Sequence, residues 1–316
     1  MVTEPLRFDG RVAVVTGAGG NPGLGRSYAL LLAARGAKVV VNDLGVGPDG
    51  RGAISGSVES VVREITDAGG EAIGNGDSVA TAAGARSIVA DALDTWGQVD
   101  ILVNNAGIAP FALFDEISET DVERVVDVHL LGHIWMCRAA WGPMKERGYG
   151  RLVNVSSGVA VTGMPYQSIY SAAKLGVVGL TRTLSAEGAP YGIKANVVMP
   201  AADTLAWQTM LEPEFSSAAV DAGLTPEAVA PTTAWLAHES IPYSGKIFQA
   251  RGTMVNEYYF AATRGIAAEK TAASVESVAG RASGIVDRTR STVVRDPSPR
   301  IPERMKPKPY SESRRG

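Results

Sequence analysis

The chain has 316 residues, 45% hydrophobic and 20% charged, with a formal net charge of −3 and one cysteine. That is the length and composition of a globular protein with room for a sizeable core. The charge gives no ground for nucleic-acid binding, and one cysteine excludes an internal disulfide framework. No apolar run approaches the ~18 residues of a membrane-spanning helix. MVTEPLRFDGR lacks the apolar core of a secretory signal, so a cytoplasmic protein without a membrane span is expected.

Strand-like runs alternate with helical ones from the start. RVAVVTG reads as a buried parallel strand, GLGRSYALLLAARG as a helix ending at Gly36, and AKVVVND as the next strand. A glycine-rich loop without periodicity, LGVGPDGRGAISG, follows. SVESVVREITDAGG is an amphipathic helix, EAIGNGD a short strand, TAAGARSIVADALDTWG a helix and VDILVNNAG a strand. TDVERVVDVHLLGHIWMCRAAWGPMKERG is one long helical region, in which Cys137 reads as a buried small residue. GRLVNVSS is a strand, IYSAAKLGVVGLTRTLSAEGAPYG a helix, IKANVVMP a strand, TPEAVAPTTAWLAHES a helix, and GKIFQARG the last strand.

Seven strands alternating with helices specify an α/β fold. It is a doubly wound parallel seven-stranded sheet of the Rossmann type, with helices on both faces, in a single domain over residues 1–252. Beyond it the pattern loosens. Residues 253–294 form a C-terminal extension in which NEYYFAATRGIAAEK and ASVESVAGRASGIVDRTR are expected to be short helices laid over the core. Residues 295–316 hold five prolines and seven Arg or Lys against three Asp or Glu, a basic tail of disordered composition.

TGAGGNPGLG, Thr16 to Gly25, lies between the first strand and the first helix. Glycines there (Gly17, Gly19, Gly23 and Gly25, with Leu24 opening the helix) let the backbone approach a pyrophosphate, and the helix N-terminus offers amide donors. Asp43, 18 residues beyond Gly25, ends the second strand, with Leu44 next to it. A carboxylate there binds both hydroxyls of an adenosine ribose and repels a 2′-phosphate, favouring NAD over NADP; Arg51 follows in the next loop. Tyr170 and Lys174 stand four apart in YSAAK, on one helix face, thirteen residues after Ser157. A free phenol titrates near ~10; a neighbouring cation brings it within range of acid/base work, and a serine hydroxyl can donate to a carbonyl or alkoxide oxygen. The spacing alone is weak, and its place after a nucleotide-type strand, loop and helix is what lifts it. No metal site is expected.

TG…GLG, NNAG at 104–107, Ser157 and YSAAK, in this order and separation, resemble the short-chain dehydrogenase/reductase superfamily over about residues 8–252. The resemblance implies Tyr170 as acid/base, Lys174 as the group that lowers its pKa and binds the nicotinamide ribose, and Ser157 as holder of the substrate oxygen. It further implies that Asn105, Ala106 and Gly107 support the cofactor and the central sheet. Asp77, with Ser78, would contact adenine, although an N-cap role suits Asp77 equally. Pro200 and Thr204 would border the nicotinamide amide. VVVNDLG, VHLLGH, AAWGPMK, YSAAKLGVVGL and WLAHES are similar to the (3R)-hydroxyacyl-CoA dehydrogenase units of the type 2 peroxisomal multifunctional enzymes and their bacterial relatives. That likeness implies oxidation of a secondary alcohol on a hydrophobic substrate, a 3-hydroxyacyl-CoA or sterol-side-chain CoA thioester. Alternatives are a hydroxysteroid dehydrogenase or general ketoreductase without CoA, and a non-catalytic nucleotide-binding sensor or scaffold. A homodimer or homotetramer formed through the helices around 120–147 and GLTRTLSAE is also implied.

Three departures stand out. Five residues separate Gly17 from Gly23, with Asn21-Pro22 as an insertion; Ala201 stands where glycine commonly follows the proline; and His129 stands where most relatives place asparagine. His129 reads first as a packed helix residue and second as a member of a proton relay. The substrate lid is expected after Pro200, with Trp207 and Met210 facing an apolar substrate, and Met164 and Tyr166 on the opposite wall. Ordinary packing on the core is the competing reading for each.

Overall fold

The computed structural model describes residues 4–210, 213–267 and 274–298. The chain begins β1 (Val12–Thr16), α1 (Leu24–Ala34), β2 (Lys38–Asn42), α2 (Ser57–Asp67), β3 (Glu71–Asn75), α3 (Ala82–Trp96) and β4 (Ile101–Asn104). Next come α4 (Glu119–Val126), a π-helical turn (Asp127–Leu131), α5 (Gly132–Arg147), β5 (Gly150–Val155), α6 (Val159–Thr162) and α7 (Ser168–Gly188). A 3₁₀ turn (Ala189–Tyr191) leads to β6 (Ile193–Ala201), α8 (Leu205–Met210), α9 (Pro213–Asp221), α10 (Pro226–Ala237) and β7 (Ile247–Arg251). The extension contributes β8 (Met254–Tyr258), β9 (Ala261–Ala262), α11 (Val275–Ala279), α12 (Ala282–Ile285), a 3₁₀ turn (Arg288–Arg290) and β10 (Thr292–Val293).

The main sheet has the order β3-β2-β1-β4-β5-β6-β7-β8. The seven expected strands are all present and run parallel. They are valine-rich because both faces are covered, so no residue of VAVVT, ILVN or GRLVNV is exposed. The pleat sends Ala13 and Val15 into one core with Tyr28, Leu32 and Leu236, and Val12 and Val14 into another with Ile88, Leu102 and Met136. Cys137 belongs to the second core; burial pushes its thiol up to about 12, so it packs as a small apolar residue. Strand order reverses between β1 and β4, which opens a crevice at their C-terminal ends.

One expectation needs correction: the described residues 253–267 of the extension hold no helix. Met254 to Tyr258 turns back at Gly252 and Thr253 and pairs antiparallel with β7, Arg251 opposite Met254, while Ala261–Ala262 pairs with Thr292–Val293. The open edge of β7 offers unpaired main-chain groups one tight turn away, and that outweighs local helix propensity. The helices expected further on are present as α11 and α12. The long helical region is continuous as expected, and it carries the π-helical turn Asp127–Leu131 between α4 and α5. The start of the basic tail is tied down, Asp296 by Lys246 at 2.9 Å and the Arg295 carbonyl by Arg182 at 3.2 Å; residues 299–316 lie outside the described residues. Among the described residues no helix is long and apolar enough to cross a membrane.

Candidate active site

The glycine loop and NNAG are bolted together across the crevice. Thr16 Oγ1 accepts from the main-chain N–H of Asn105 (3.0 Å) and Ala106 (3.1 Å), and Asn105 Nδ2 donates to the carbonyls of Thr16 and Gly17, both at 3.0 Å. Little space remains between them. A Cβ on Gly17 would lie 2.6 Å from Ala106 Cα, and one on Gly25 would lie 2.3 Å from the Gly17 carbonyl oxygen. Gly17 also has φ 65, a conformation that suits glycine. A Cβ on Gly23 would meet the Gly20 carbonyl at 2.2 Å. Leu24 then starts α1, whose first amides face the crevice.

Asp43 follows β2 beside this loop. Its carboxylate accepts from Gly19 N–H and Gly45 N–H, each at 2.8 Å. A cavity of about 680 Å³ adjoins it, lined among others by Leu44, Ser57, Asn75 and Gly76. Asp77 is not the helix cap. Thr81 caps α3, accepting from Gly84 N–H at 3.0 Å, and Asp77 is instead exposed, joined to Asn75 through its amide and its carboxylate. Ser78 Oγ accepts from Ala80 N–H. A cradle that only glycine fills, a helix N-terminus, a carboxylate at the second strand and a cavity next to it together fit a dinucleotide.

The proton-transfer group sits at the end of β5. Ser156 Oγ donates to the Lys174 carbonyl at 2.8 Å and thereby seats α7 against the strand. Lys174 is 2% exposed and its Nζ donates to the Val155 carbonyl at 2.7 Å, 5.7 Å from the centre of the Tyr170 ring. Burial takes this ammonium down to about 7. Burial also raises the Tyr170 phenol above its ordinary value, and the hydrogen bond to Ser157 offsets part of that. In the protein alone, then, the expected lowering of the tyrosine by the lysine is not found: burial raises the phenol, and the group that offsets it is Ser157.

His129 occupies the π-helical turn and is 2% exposed. Its ring meets Tyr170 edge to face at 4.9 Å, and its Nε2 lies against the main-chain N–H and carbonyl of Ile108. Gly107 makes room for it, since a Cβ there would come within 2.5 Å of His129 Cε1. Burial, followed by the Lys174 charge, holds His129 down to about 3, so the imidazole is neutral. The first reading of His129 therefore holds: it is packed, and its ring lies against that of the tyrosine. His133, one turn on, is equally buried and held well below its ordinary value by burial and then by Lys174.

Beyond Pro200 the chain crosses the mouth of the crevice. Thr204 Oγ1 accepts from Trp207 N–H, and Leu205 N–H donates to the Pro22 carbonyl at 2.9 Å. The Asn21-Pro22 insertion thus touches the lid, a link no local pattern announces. Asp203, missed by sequence reasoning, ties the lid together. It is 2% exposed, and its Oδ2 accepts from Gln208 Nε2 and Ser216 Oγ, each at 2.7 Å. Trp207 is half-buried on α8; the Met210 side chain lies outside the described residues. Met164 is half-buried and Tyr166 exposed on the loop before α7. Ala112 N–H donates to the Tyr166 carbonyl, which brings in Leu113 and the 74% exposed Phe114. These two apolar residues of the rim were also missed; their exposure, and not their spacing, is what marks them.

The family model described as short chain dehydrogenase matches residues 11–211. The chain belongs to the short-chain dehydrogenase family. It is an oxidoreductase acting on CH–OH groups. A peroxisomal multifunctional enzyme type 2 from Mus musculus is 44% identical over 269 residues, 85% of this chain and 35% of that protein; this chain thus spans about a third of the relative's length. A Mycobacterium tuberculosis protein named as a short-chain type dehydrogenase/reductase is 45% identical over 277 residues, 88% of this chain and 94% of its own. The crystal structure of a short chain dehydrogenase from Mycobacterium avium superposes with a TM-score of 0.75 at 36% identity, covering 92% of this chain and 98% of that one.

Proposed function

We propose that this short-chain dehydrogenase uses NAD(H) to interconvert a secondary alcohol and its ketone on a hydrophobic substrate, a 3-hydroxyacyl-CoA or a sterol-side-chain CoA thioester. The observation that carries the reading is the Ser157–Tyr170 pair above buried Lys174, at the same end of the sheet as the glycine cradle and Asp43. Gly17, Gly19, Gly23, Leu24 and Gly25 would hold the pyrophosphate, Asp43 and Leu44 the adenosine ribose, and Asp77 and Ser78 the adenine. Asn105, Ala106 and Gly107 would back the cofactor, Tyr170 and Lys174 the nicotinamide ribose, and Pro200 and Thr204 the carboxamide. The nicotinamide, when bound, supplies the hydride acceptor or donor.

This chain's residues handle the proton. In oxidation the Tyr170 oxygen takes the proton of the substrate hydroxyl as the carbonyl forms, and in reduction it returns it. Ser157 Oγ donates a hydrogen bond to the substrate oxygen while its charge changes. Lys174 stands below Tyr170, and new acceptors around Nζ would keep it charged and favour the phenolate. His129, neutral and in edge contact with Tyr170, fixes the ring's orientation. Asp43 supports NAD over NADP, because a 2′-phosphate would meet its carboxylate. Leu113, Phe114 and Tyr166 on the rim support an apolar substrate, and the likeness to a Synechocystis protein named 3-oxoacyl-[acyl-carrier-protein] reductase, 35% identical over 249 residues, supports a 3-hydroxyacyl thioester.

A cytoplasmic location and a homodimer or homotetramer belong to the same proposal. The test is a panel of 3-hydroxyacyl-CoAs and steroid alcohols assayed with NAD and with NADP. Turnover of the thioesters with NAD is expected; turnover of free steroid alcohols alone would favour the hydroxysteroid dehydrogenase reading.

A further inference from the structure

Residues 44–56 link β2 to α2, yet they do not stay between those elements. β1 separates β2 from β4 in the sheet. The segment leaves the end of β2 at Asp43 and is next held by residues beyond the end of β4. Ala109 N–H donates to the Pro48 carbonyl at 3.0 Å. Arg124 Nη2 donates to the carbonyls of Asp49, at 3.1 Å, and Gly50. Arg51 Nη2 meets both carboxylate oxygens of Asp121, at 2.8 and 3.1 Å. The segment therefore passes over the C-terminal end of β1, where Thr16 hands the chain to the glycine loop.

It is closed on itself by its own hydrogen bonds. Gly47 N–H bonds the Arg51 carbonyl at 2.8 Å, Ile54 N–H bonds the Gly45 carbonyl at 2.7 Å, and Arg51 N–H bonds Asp49 Oδ1 at 2.9 Å. Gly45 and Gly56, near its two ends, have φ of 70 and 75, so each can turn the chain where other residues would be strained. The two arginines in these contacts meet at one carboxylate. Asp121 takes Arg51 from the segment and Arg124 Nη1 from its own helix, at 3.0 Å, and its side chain is 15% exposed against 57% for Arg51. An ion pair that open to water is individually weak, which suits a contact that must break and reform.

We propose that residues 44–56 form a strap that closes over the dinucleotide cleft, and that the Asp121 carboxylate is the latch holding it shut. Opening of the strap then sets how fast the dinucleotide leaves. This rests on the reading that the cleft binds NAD(H). Asp121 is a positioning residue: it touches the strap and not the reacting atoms.

The test uses the full chain. NADH release is followed by stopped-flow fluorescence on displacement with excess NAD, and amide hydrogen exchange of residues 44–56 is measured without cofactor. Asp121→Asn and Arg51→Ala should each speed release roughly three- to five-fold, as expected for loss of one exposed ion pair. Combining them should add little, because both break the same contact. Exchange should quicken over 44–56 only. The exchanged pair Arg51→Asp with Asp121→Arg should recover most of the wild-type rate. Arg51→Ala removes an exposed side chain and keeps the experiment decisive should Asp121→Asn weaken α4. Unchanged release in Arg51→Ala overturns the strap, and so does faster exchange spread through α4 and α5, which would make Asp121 a helix-capping group. Absence of NADH binding to the wild-type protein would remove both this proposal and the functional reading, whereas normal binding with unaltered release removes the strap alone.

Discussion

On the β1–β4 side of the crevice Gly17 and Gly25 lie against main-chain atoms of Ala106 and Gly17, with Thr16 Oγ1 and Asn105 Nδ2 bonding the main chain across the gap, whereas beyond Pro200 the lid is joined through the side chain of Asp203. Main-chain packing at 2.3–2.6 Å from a hypothetical Cβ admits one residue type. Side-chain packing admits many. The first wall is therefore written into the chain as glycines at set intervals, and the second leaves its residues free to vary. On the function proposed above, such an enzyme would keep its cofactor geometry while its lid is remodelled.

The sharpest way to break that contrast is to put bulk on the rigid wall. Gly25→Val places atoms on the Gly17 carbonyl and on Asn105 Nδ2. NADH binding should be lost beyond the range of a fluorescence titration, with a lower unfolding temperature. If Gly25→Val bound NADH normally, the cradle would not be the cofactor wall.

Lys174 gives the next largest effect, and its sign is unusual. Its folded value of about 7 lies below the ordinary 10.5. Between those pH values the unfolded chain holds a proton that the folded chain does not, so stability rises with pH across the window, and the cost of burial is complete below 7. Lys174→Met should remove that rise and stabilise the protein near pH 7 by a few kcal/mol, since each tenfold loss of proton affinity on folding costs about 1.4 kcal/mol, while turnover collapses. Urea unfolding at pH 7 and pH 9.5 checks it. Equal pH slopes in wild type and variant would show that the lysine is not held uncharged.

The lid gives the smallest effect. Asp203→Ala frees Gln208 and Ser216, so KM for the alcohol should rise about five- to twentyfold, on the scale of one or two buried hydrogen bonds, with NADH affinity within twofold of wild type. A matching loss of NADH affinity would mean that the two walls are not independent, and the Leu205–Pro22 hydrogen bond is the contact that would carry such coupling.

The same contrast explains what could be read from the chain. The seven parallel strands, the glycine loop, Asp43 and the Ser157–Tyr170–Lys174 set were legible because each depends on local spacing or on a residue type with no substitute. Asp203, Thr81, Asp121 and the rim residues Leu113 and Phe114 were not. Arg51 and Asp121 lie 70 positions apart and meet only because the strap crosses β1. Thr81 displaces Asp77 as helix cap because α3 starts one turn later than the acidic residue suggests. β8 was missed for a related reason: the open edge of β7, supplied by the assembled sheet, made MVNEY a strand.

Tyr170→Phe offers the most direct test of the central claim, read out on two axes in the same preparation. Removing one oxygen takes away the group that moves the proton and leaves the cradle, Asp43 and Lys174 in place. Turnover of a 3-hydroxyacyl-CoA with NAD should fall by about 10³-fold or more, while NADH binding stays within a few-fold of wild type. Near-wild-type turnover in Tyr170→Phe would contradict the assignment of Tyr170 as the proton-transfer residue.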